Sequence, residues 1–239
     1  MRGYDKIPEH EDMLLDLPFY EGGGTLTRDQ AKPHHQDILL INAPAWTPVA
    51  SDLGILAFDG VNQYLELANA ACADLDFIAG DYSLGCWFNW TDDSGSQIIM
   101  GRYQLDVSGW ELYLWGAAGI NILTLRHHHA GILVPPVTGN PRSACYANGW
   151  TPATWWLMGL SRTGGGEAQM YRNGVALPML TGGLVDPKTC GIDLVVGARY
   201  SKDNDFILGS MWRPRIWNRI LTAAEWVNIF EAERDWFGV

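Results

Sequence analysis

Residues 206–226 of this chain, FILGSMWRPRIWNRILTAAEW, set a strand-like stretch directly against a helix start, and no other segment limits the possible folds so strongly. Phe206, Leu208, Trp212, Ile216 and Ile220 share one parity, and Arg213, Arg215 and Arg219 share the other. That is the period-2 signature of a half-buried strand, and it points the arginines at solvent. Thr222 and Glu225 follow in T-x-x-E spacing, a capping box that satisfies backbone N–H groups left unpaired by a first helical turn. A long β segment closed by one short helix predicts an all-β sandwich.

The upstream pattern agrees. Residues 82–90 alternate, with Tyr82, Leu84, Cys86, Phe88 and Trp90 pointing one way and Ser83, Trp87 and Asn89 the other. Residues 97–103, 110–115 and 120–127 read as three successive strands of a meander. Residues 155–162 and 168–172 read as two strands joined across Gly164, Gly165 and Gly166, with Asn173-Gly174 as the next turn. Residues 13–20 and 194–200 supply further strands. Residues 55–59 and 63–67 read as a hairpin around Asp59-Gly60, where glycine supplies positive φ. Residues 130–153, rich in Gly, Pro and Asn, read as a long surface loop. The expected architecture is a two-sheet antiparallel jelly-roll sandwich with one short C-terminal helix burying Trp226, Ile229 and Phe230. Residues 1–12 are a polar arm and residues 13–239 a single domain.

Charge narrows the partners. With 16 basic and 27 acidic residues the net charge is −11, which repels DNA phosphates and anionic membranes and favours a neutral or cationic partner. No apolar run is long enough to insert into a membrane, and the first 15 residues lack the continuous apolar stretch of a secretory signal. Cys72, Cys86, Cys145 and Cys190 show neither C-x-x-C nor zinc-ligand spacing; unpaired thiols and a Cys145–Cys190 bridge both remain open. His127, His128 and His129 are consecutive, so on a strand the middle ring points away from the other two; they read as a surface strand end. Glycoside hydrolysis needs two carboxylates flanking one bond, and no strand here carries such a pair. Glu231, Glu233 and Asp235 fall on the helix instead, so the expectation is a protein that is not an enzyme.

Sugar binding needs an apolar ring for the C–H face of a pyranose and polar groups at its edge for the hydroxyls. In residues 110–115, WELYLW, Glu111, Tyr113 and Trp115 share one face while Trp110, Leu112 and Leu114 turn to the core. Arg102 or Tyr103 on the neighbouring strand completes a shallow groove. The competing reading is that these aromatics cover a sheet face or an oligomer contact.

The order of segments resembles the concanavalin A-like lectin/glucanase superfamily, and within it the laminin-G-like (pentraxin-like) jelly rolls. The resemblance runs from Leu15-Asp16-Leu17-Pro18-Phe19 and Glu21-Gly22 through Leu56-Ala57-Phe58-Asp59-Gly60, Tyr64, Tyr82-Ser83-Leu84 and Trp87. It continues at Trp155, Ser161-Arg162-Thr163-Gly164 and Tyr171-Arg172-Asn173-Gly174, and closes on Gly209 and Trp217 to Glu225. It implies two curved sheets, a face that holds a glycan or polysaccharide, and a structural calcium ion, with Asp59 and Asn62 at the matching turn; a turn that simply needs Asp-Gly explains the same two residues. The tail, AAEWVNIFEAERDWFG, resembles copies carried by bacteriophages and mobile elements. That implies a virion-surface or extracellular setting. The family hosts lectins and virion decorations alike, so contact with capsid or tail proteins as a homo-oligomer is the alternative to glycan attachment.

Overall fold

The computed structural model describes residues 8–32, 37–49, 51–91, 94–117, 120–131, 142–181 and 183–239. Among these the chain forms strands β1 (Met13–Asp16), β2 (Leu26–Thr27), β3 (Ile38–Ile41), β4 (Ala45–Pro48), β5 (Gly54–Asp59) and β6 (Tyr64–Leu67). β7 (Tyr82–Trp90), β8 (Gly95–Gln104), β9 (Ser108–Ala117), β10 (Ile120–His128), β11 (Arg142–Asn148) and β12 (Trp156–Thr163) follow. The last are β13 (Glu167–Arg172), β14 (Val175–Ala176), β15 (Leu180–Thr181), β16 (Leu194–Val196) and β17 (Leu208–Trp217), before helix α1 (Ala223–Glu233). They build two antiparallel sheets. One has eight strands in the order β14-β13-β12-β7-β17-β5-β4, with β1 also on β17; the other has nine, β15-β11-β10-β9-β8-β16-β6-β3-β2. This is the expected sandwich.

The inner faces follow the alternation. Leu84, Cys86, Phe88, Met211 and Ile216 come from the eight-stranded sheet, and Leu112, Leu114, Leu123 and Leu125 from the nine-stranded one; all are buried. The outer face of the eight-stranded sheet is closed by α1. Trp226 lies over Gly85 and Gly159 so tightly that a Cβ at either would sit 2.8 or 2.7 Å from its ring, and its Nε1 donates to Ser161 Oγ at 3.0 Å. Trp87 stacks on Phe237 at 4.3 Å between centroids. The capping box is present, with Glu225 N donating to Thr222 Oγ1 and Thr222 N to Glu225.

β17 departs from its sequence parity. Trp212 pairs with Trp87 but Arg215 pairs with Gly85, so β17 carries one residue more than its partner, and Arg213 sits there at φ +53°. The extra residue of such a bulge reverses the facing of everything after it. Trp212, Arg215 and Trp217 therefore share the outer face, and Ile216 turns inward. The arginines are not solvent-facing: Arg215 donates to both Glu233 oxygens at 2.8 and 3.0 Å. Arg213 bridges Asp16 at 2.8 and 3.0 Å and Glu233 at 2.9 Å, and Arg219 pairs with Glu225 at 2.6 Å. Glu233 also accepts from Trp87 Nε1 at 2.8 Å. Buried charges persist only when paired in this way.

Three other expectations change. β5 and β6 are not a hairpin, because β5 pairs with β4 and β17 in one sheet while β6 pairs with β3 and β16 in the other. The Asp59-Gly60 turn is real, with Gly60 at φ +74°, but it carries the chain across the sandwich. Within the expected loop 130–153, β11 forms by burying only small residues, Ser143, Cys145 and Ala147, on alternate positions. Residues 132–141 of that segment, and Asp92 and Asp93, lie outside the described residues. The described part of the arm is fastened: Trp217 Nε1 donates to Glu9 O at 2.6 Å and Asn218 N to Asp12 O at 2.8 Å. All four cysteines are buried and unpaired, so the Cys145–Cys190 bridge does not form.

Candidate functional site

Helix α1 occupies one outer face of the sandwich; the outer face of the nine-stranded sheet meets solvent toward Trp115 and Tyr146, while the loop carrying Arg199, Tyr200 and Asp205 lies over Ile98 and Tyr103. Register assigns what that face displays, because residues directly opposite one another share a face. Ile98, Tyr113, Thr124, Tyr146 and Leu180 lie in one cross-strand row, and Ser96, Trp115 and Ile122 in the next. Glu111 lies opposite Arg126 on the other side of Tyr113. Trp115 is 42% exposed and Tyr146 37%, whereas Tyr113 is buried at 7%. Two open aromatic rings thus flank a buried one.

Beside them is a cleft of about 190 Å³, lined by Ser96, Ile98, Tyr103, Leu105, Glu111, Tyr113, Arg126, Arg142, Arg199 and Asp205. Arg126 spreads over the Tyr113 ring, 4.5 Å from its centroid, and donates both to the Tyr113 hydroxyl and to Glu111 Oε1 at 2.9 Å. His128 accepts from Asp106 N on Nδ1 at 3.0 Å, so its Nε2 carries the proton and donates to Glu111 Oε1 at 3.0 Å. Burial works against the charge on Glu111, but the His128 hydrogen bond and the Arg126 guanidinium outweigh it and hold the carboxyl below its usual range. Asp205 is pushed the other way, by burial first and by the nearby Glu111 charge, with Arg199 opposing. The cleft offers guanidinium donors, carboxylate acceptors and flat rings, the groups that hold hydroxylated rings in place.

The structure brings Glu111, Tyr113 and Tyr103 to this cleft and places Trp115 beside it, opposite Ser96. Tyr103 is covered, stacked on His128 at 5.1 Å and edge-on to Tyr200 at 5.1 Å. Arg102 goes elsewhere. It pairs with Trp110 in register and so points inward, where it donates to Asn69 Oδ1 at 2.6 Å and lies 3.2 Å from Asp76. Arg126, Arg142, Tyr146, Arg199 and Asp205 were not legible as site residues. The alternation in RSACYAN carried a signal for Tyr146, but strand register and the loop after β16 bring the rest.

His127, His128 and His129 are fully buried, not a surface strand end: residues 185–188 bond to the His127 ring and the His128 carbonyl, and the Tyr103 ring stacks on His128. His127 Nδ1 donates to Val185 O at 2.9 Å, and its Nε2 accepts from the Tyr82 hydroxyl at 2.7 Å. Asp59 Oδ1 accepts from Val61 N at 2.8 Å and Asn62 N at 3.3 Å, and Asn62 O accepts from Asn42 Nδ2 at 2.7 Å. Calcium takes six to eight oxygen ligands. This turn supplies one carboxylate already engaged by backbone, and among the described residues no cluster of three metal-ligating side chains occurs. The donor set does not fit the ion. Among the described residues no helix is long and apolar enough to cross a membrane.

A laminin G-type family model, described as the concanavalin A-like lectin/glucanases superfamily, matches residues 59–225. A search of curated proteins returns no match. Among solved structures, the chain is similar to the botulinum neurotoxin serotype G binding domain, at 13% identity and a TM-score of 0.67, covering 92% of this chain and 51% of that one. It is similar to the receptor binding domain of the botulinum neurotoxin C/D mosaic serotype at 12% identity and TM-score 0.67, covering 94% and 52%. The serotype D binding domain aligns at 13% identity and TM-score 0.63, covering 94% and 51%. The chain spans about half the length of these structures, and likeness at such identity shows the fold alone.

Proposed function

The chain belongs to the concanavalin A-like lectin/glucanases superfamily, and on that premise we propose that it is a non-catalytic carbohydrate-binding domain. The observation that carries this reading is the pair of exposed rings, Trp115 and Tyr146, on the one outer sheet face that α1 does not cover, beside the Glu111–Arg126–Tyr113 cleft. Trp115 and Tyr146 stack against sugar rings, and Arg126, Arg142 and Asp205 meet the hydroxyls. Glu111, held as a carboxylate by His128 and Arg126, orients Arg126 and does not donate a proton. The setting is extracellular or on a virion surface, where the domain attaches its carrier to a glycan. The similarity in fold to a receptor binding domain supports a recognition role.

A glycan array tests this, with wild type beside Trp115→Ala and Tyr146→Ala. Truncating an aromatic contact of this kind costs on the order of 1–2 kcal/mol, so each variant should lose about tenfold in affinity. No binder on the array, or binding untouched by both substitutions, overturns the reading. A variant that instead dissociates a homo-oligomer moves these rings to a subunit contact and supports the decoration-protein alternative.

A further inference from the structure

Resting on the carbohydrate-binding reading, we propose that the open face takes a neutral, unbranched oligosaccharide along its length, three sugar units at the least, and not a single terminal sugar. Trp115 on β9 lies opposite Ile122 on β10, and Ile122 lies opposite Asn148 on β11. Tyr113, Thr124 and Tyr146 form the neighbouring row on the same strands. Trp115 and Tyr146 are therefore set diagonally, two strands across and two residues along. With strands about 4.8 Å apart and a rise of about 3.3 Å per residue, their Cα positions are roughly 12 Å apart. Side chains stand roughly perpendicular to a sheet, so the two exposed rings keep much of that separation.

A single pyranose ring is too small to cover both. The separation matches the advance from the first to the third unit of an extended hexose chain, so those units stack on Trp115 and Tyr146 while the middle one crosses Ile122 and Thr124. Thr124 is buried and Ile122 half-buried, which makes a low floor between two raised rings. Asn148 is exposed at the side of this path and offers amide donors and an acceptor to the hydroxyls. Neither ring lines the cleft beside Tyr113, so both platforms lie on the open sheet surface. An open platform admits the interior of a chain, whereas a terminal sugar is singled out by a walled pocket. The two rows carry no charged side chain between β9 and β11, and the next residue along, Arg126, is matched by Glu111 at 2.9 Å. A polyanion would find no free cation on this path and would be repelled by a chain of net charge −11.

The test is a calorimetric titration with length series of cellulose-, mannan- and chitin-type oligosaccharides, from monosaccharide to hexasaccharide, against wild type, Trp115→Ala, Tyr146→Ala and Trp115→Phe. Thermal melts of the variants check that each is folded. In at least one series affinity should rise about tenfold or more between disaccharide and trisaccharide, because the second ring contact becomes intramolecular. Either alanine variant should erase that rise while leaving disaccharide binding at the remaining ring within about twofold of wild type. Trp115→Phe, which keeps a flat ring, should preserve it. A monosaccharide that binds as tightly as the trisaccharide, with both lost in Trp115→Ala, overturns the length requirement and leaves carbohydrate binding standing. Failure of every series while the array shows other binders, branched or anionic glycans among them, overturns this inference alone. Failure of every series together with a blank array overturns both readings.

Discussion

His127 should make this fold sensitive to mild acid. Its ring is completely buried, with Nδ1–H spent on Val185 O and Nε2 accepting from the Tyr82 hydroxyl. Burial first, and then the charges of Arg162 and the neighbouring histidines, opposed by the hydrogen bond that Nδ1–H donates to Val185 O, push its pKa from 6.5 down to about 3. A depressed folded pKa means that between about pH 6.5 and pH 3 the unfolded chain holds a proton there that the folded chain refuses, so stability is lost as pH falls. From these two pKa values the loss between pH 7 and pH 5 is roughly 2 kcal/mol, and it reaches about 4 kcal/mol at pH 3. For a chain of this length 2 kcal/mol corresponds to about 4–8 °C in Tm. The assay is denaturant unfolding at pH 7 and pH 5 for wild type and His127→Gln, which keeps an acceptor for Tyr82 but cannot titrate. The variant starts less stable, yet its stability should fall by roughly 2 kcal/mol less than wild type across that interval. Other titrating groups cancel in the difference. Parallel losses in the two proteins would show that this imidazole does not stay neutral in the folded state, and the burial argument would fail with it.

Three further outcomes follow from the packing. Gly159→Ala drives a Cβ to 2.7 Å from the Trp226 ring and should destabilise by about 1–3 kcal/mol, read as a lower denaturant midpoint; an unchanged midpoint would show that α1 can shift outward freely. Glu233→Gln leaves Arg213 and Arg215 without the carboxylate they share and should cost about 3–5 kcal/mol, whereas a loss no larger than that of a surface substitution would mean water reaches the pair. Because the Asp59 carboxylate already serves two turn amides, chelator should leave Tm unchanged, and a clear drop would reveal a bound ion.

The candidate site divides along a physical line. That Glu111, Tyr113 and Trp115 share a face follows from strand alternation alone, since successive side chains must point to opposite sides. Alternation gives facing but not exposure. Whether Glu111 is open or sealed depends on His128, Arg126 and the loop carrying Tyr200, none of which local pattern connects to it. Arg102 shows the reverse case: its parity with Trp110 turns it inward, but its partners Asn69 and Asp76 come from a segment far away in sequence. The histidines read as a surface strand end because nothing in their own neighbourhood announces that residues 185–188 will meet His127 or that Tyr103 will stack on His128.

From the order of residues alone came the two-sheet sandwich, the meander of β8, β9 and β10, the β12–β13 hairpin, the capped helix and the aromatic face of β9. Each is set by interactions a few residues apart, or by an alternation that backbone geometry imposes. Tertiary structure decided the rest: that the Asp59-Gly60 turn crosses between sheets, that one extra residue at Arg213 reverses β17 and buries its arginines around Glu233, and that α1 covers one sheet face and leaves the other open toward Trp115 and Tyr146. These outcomes depend on pairing between segments distant in the chain. There, register and the need to pair every buried charge outweigh local pattern.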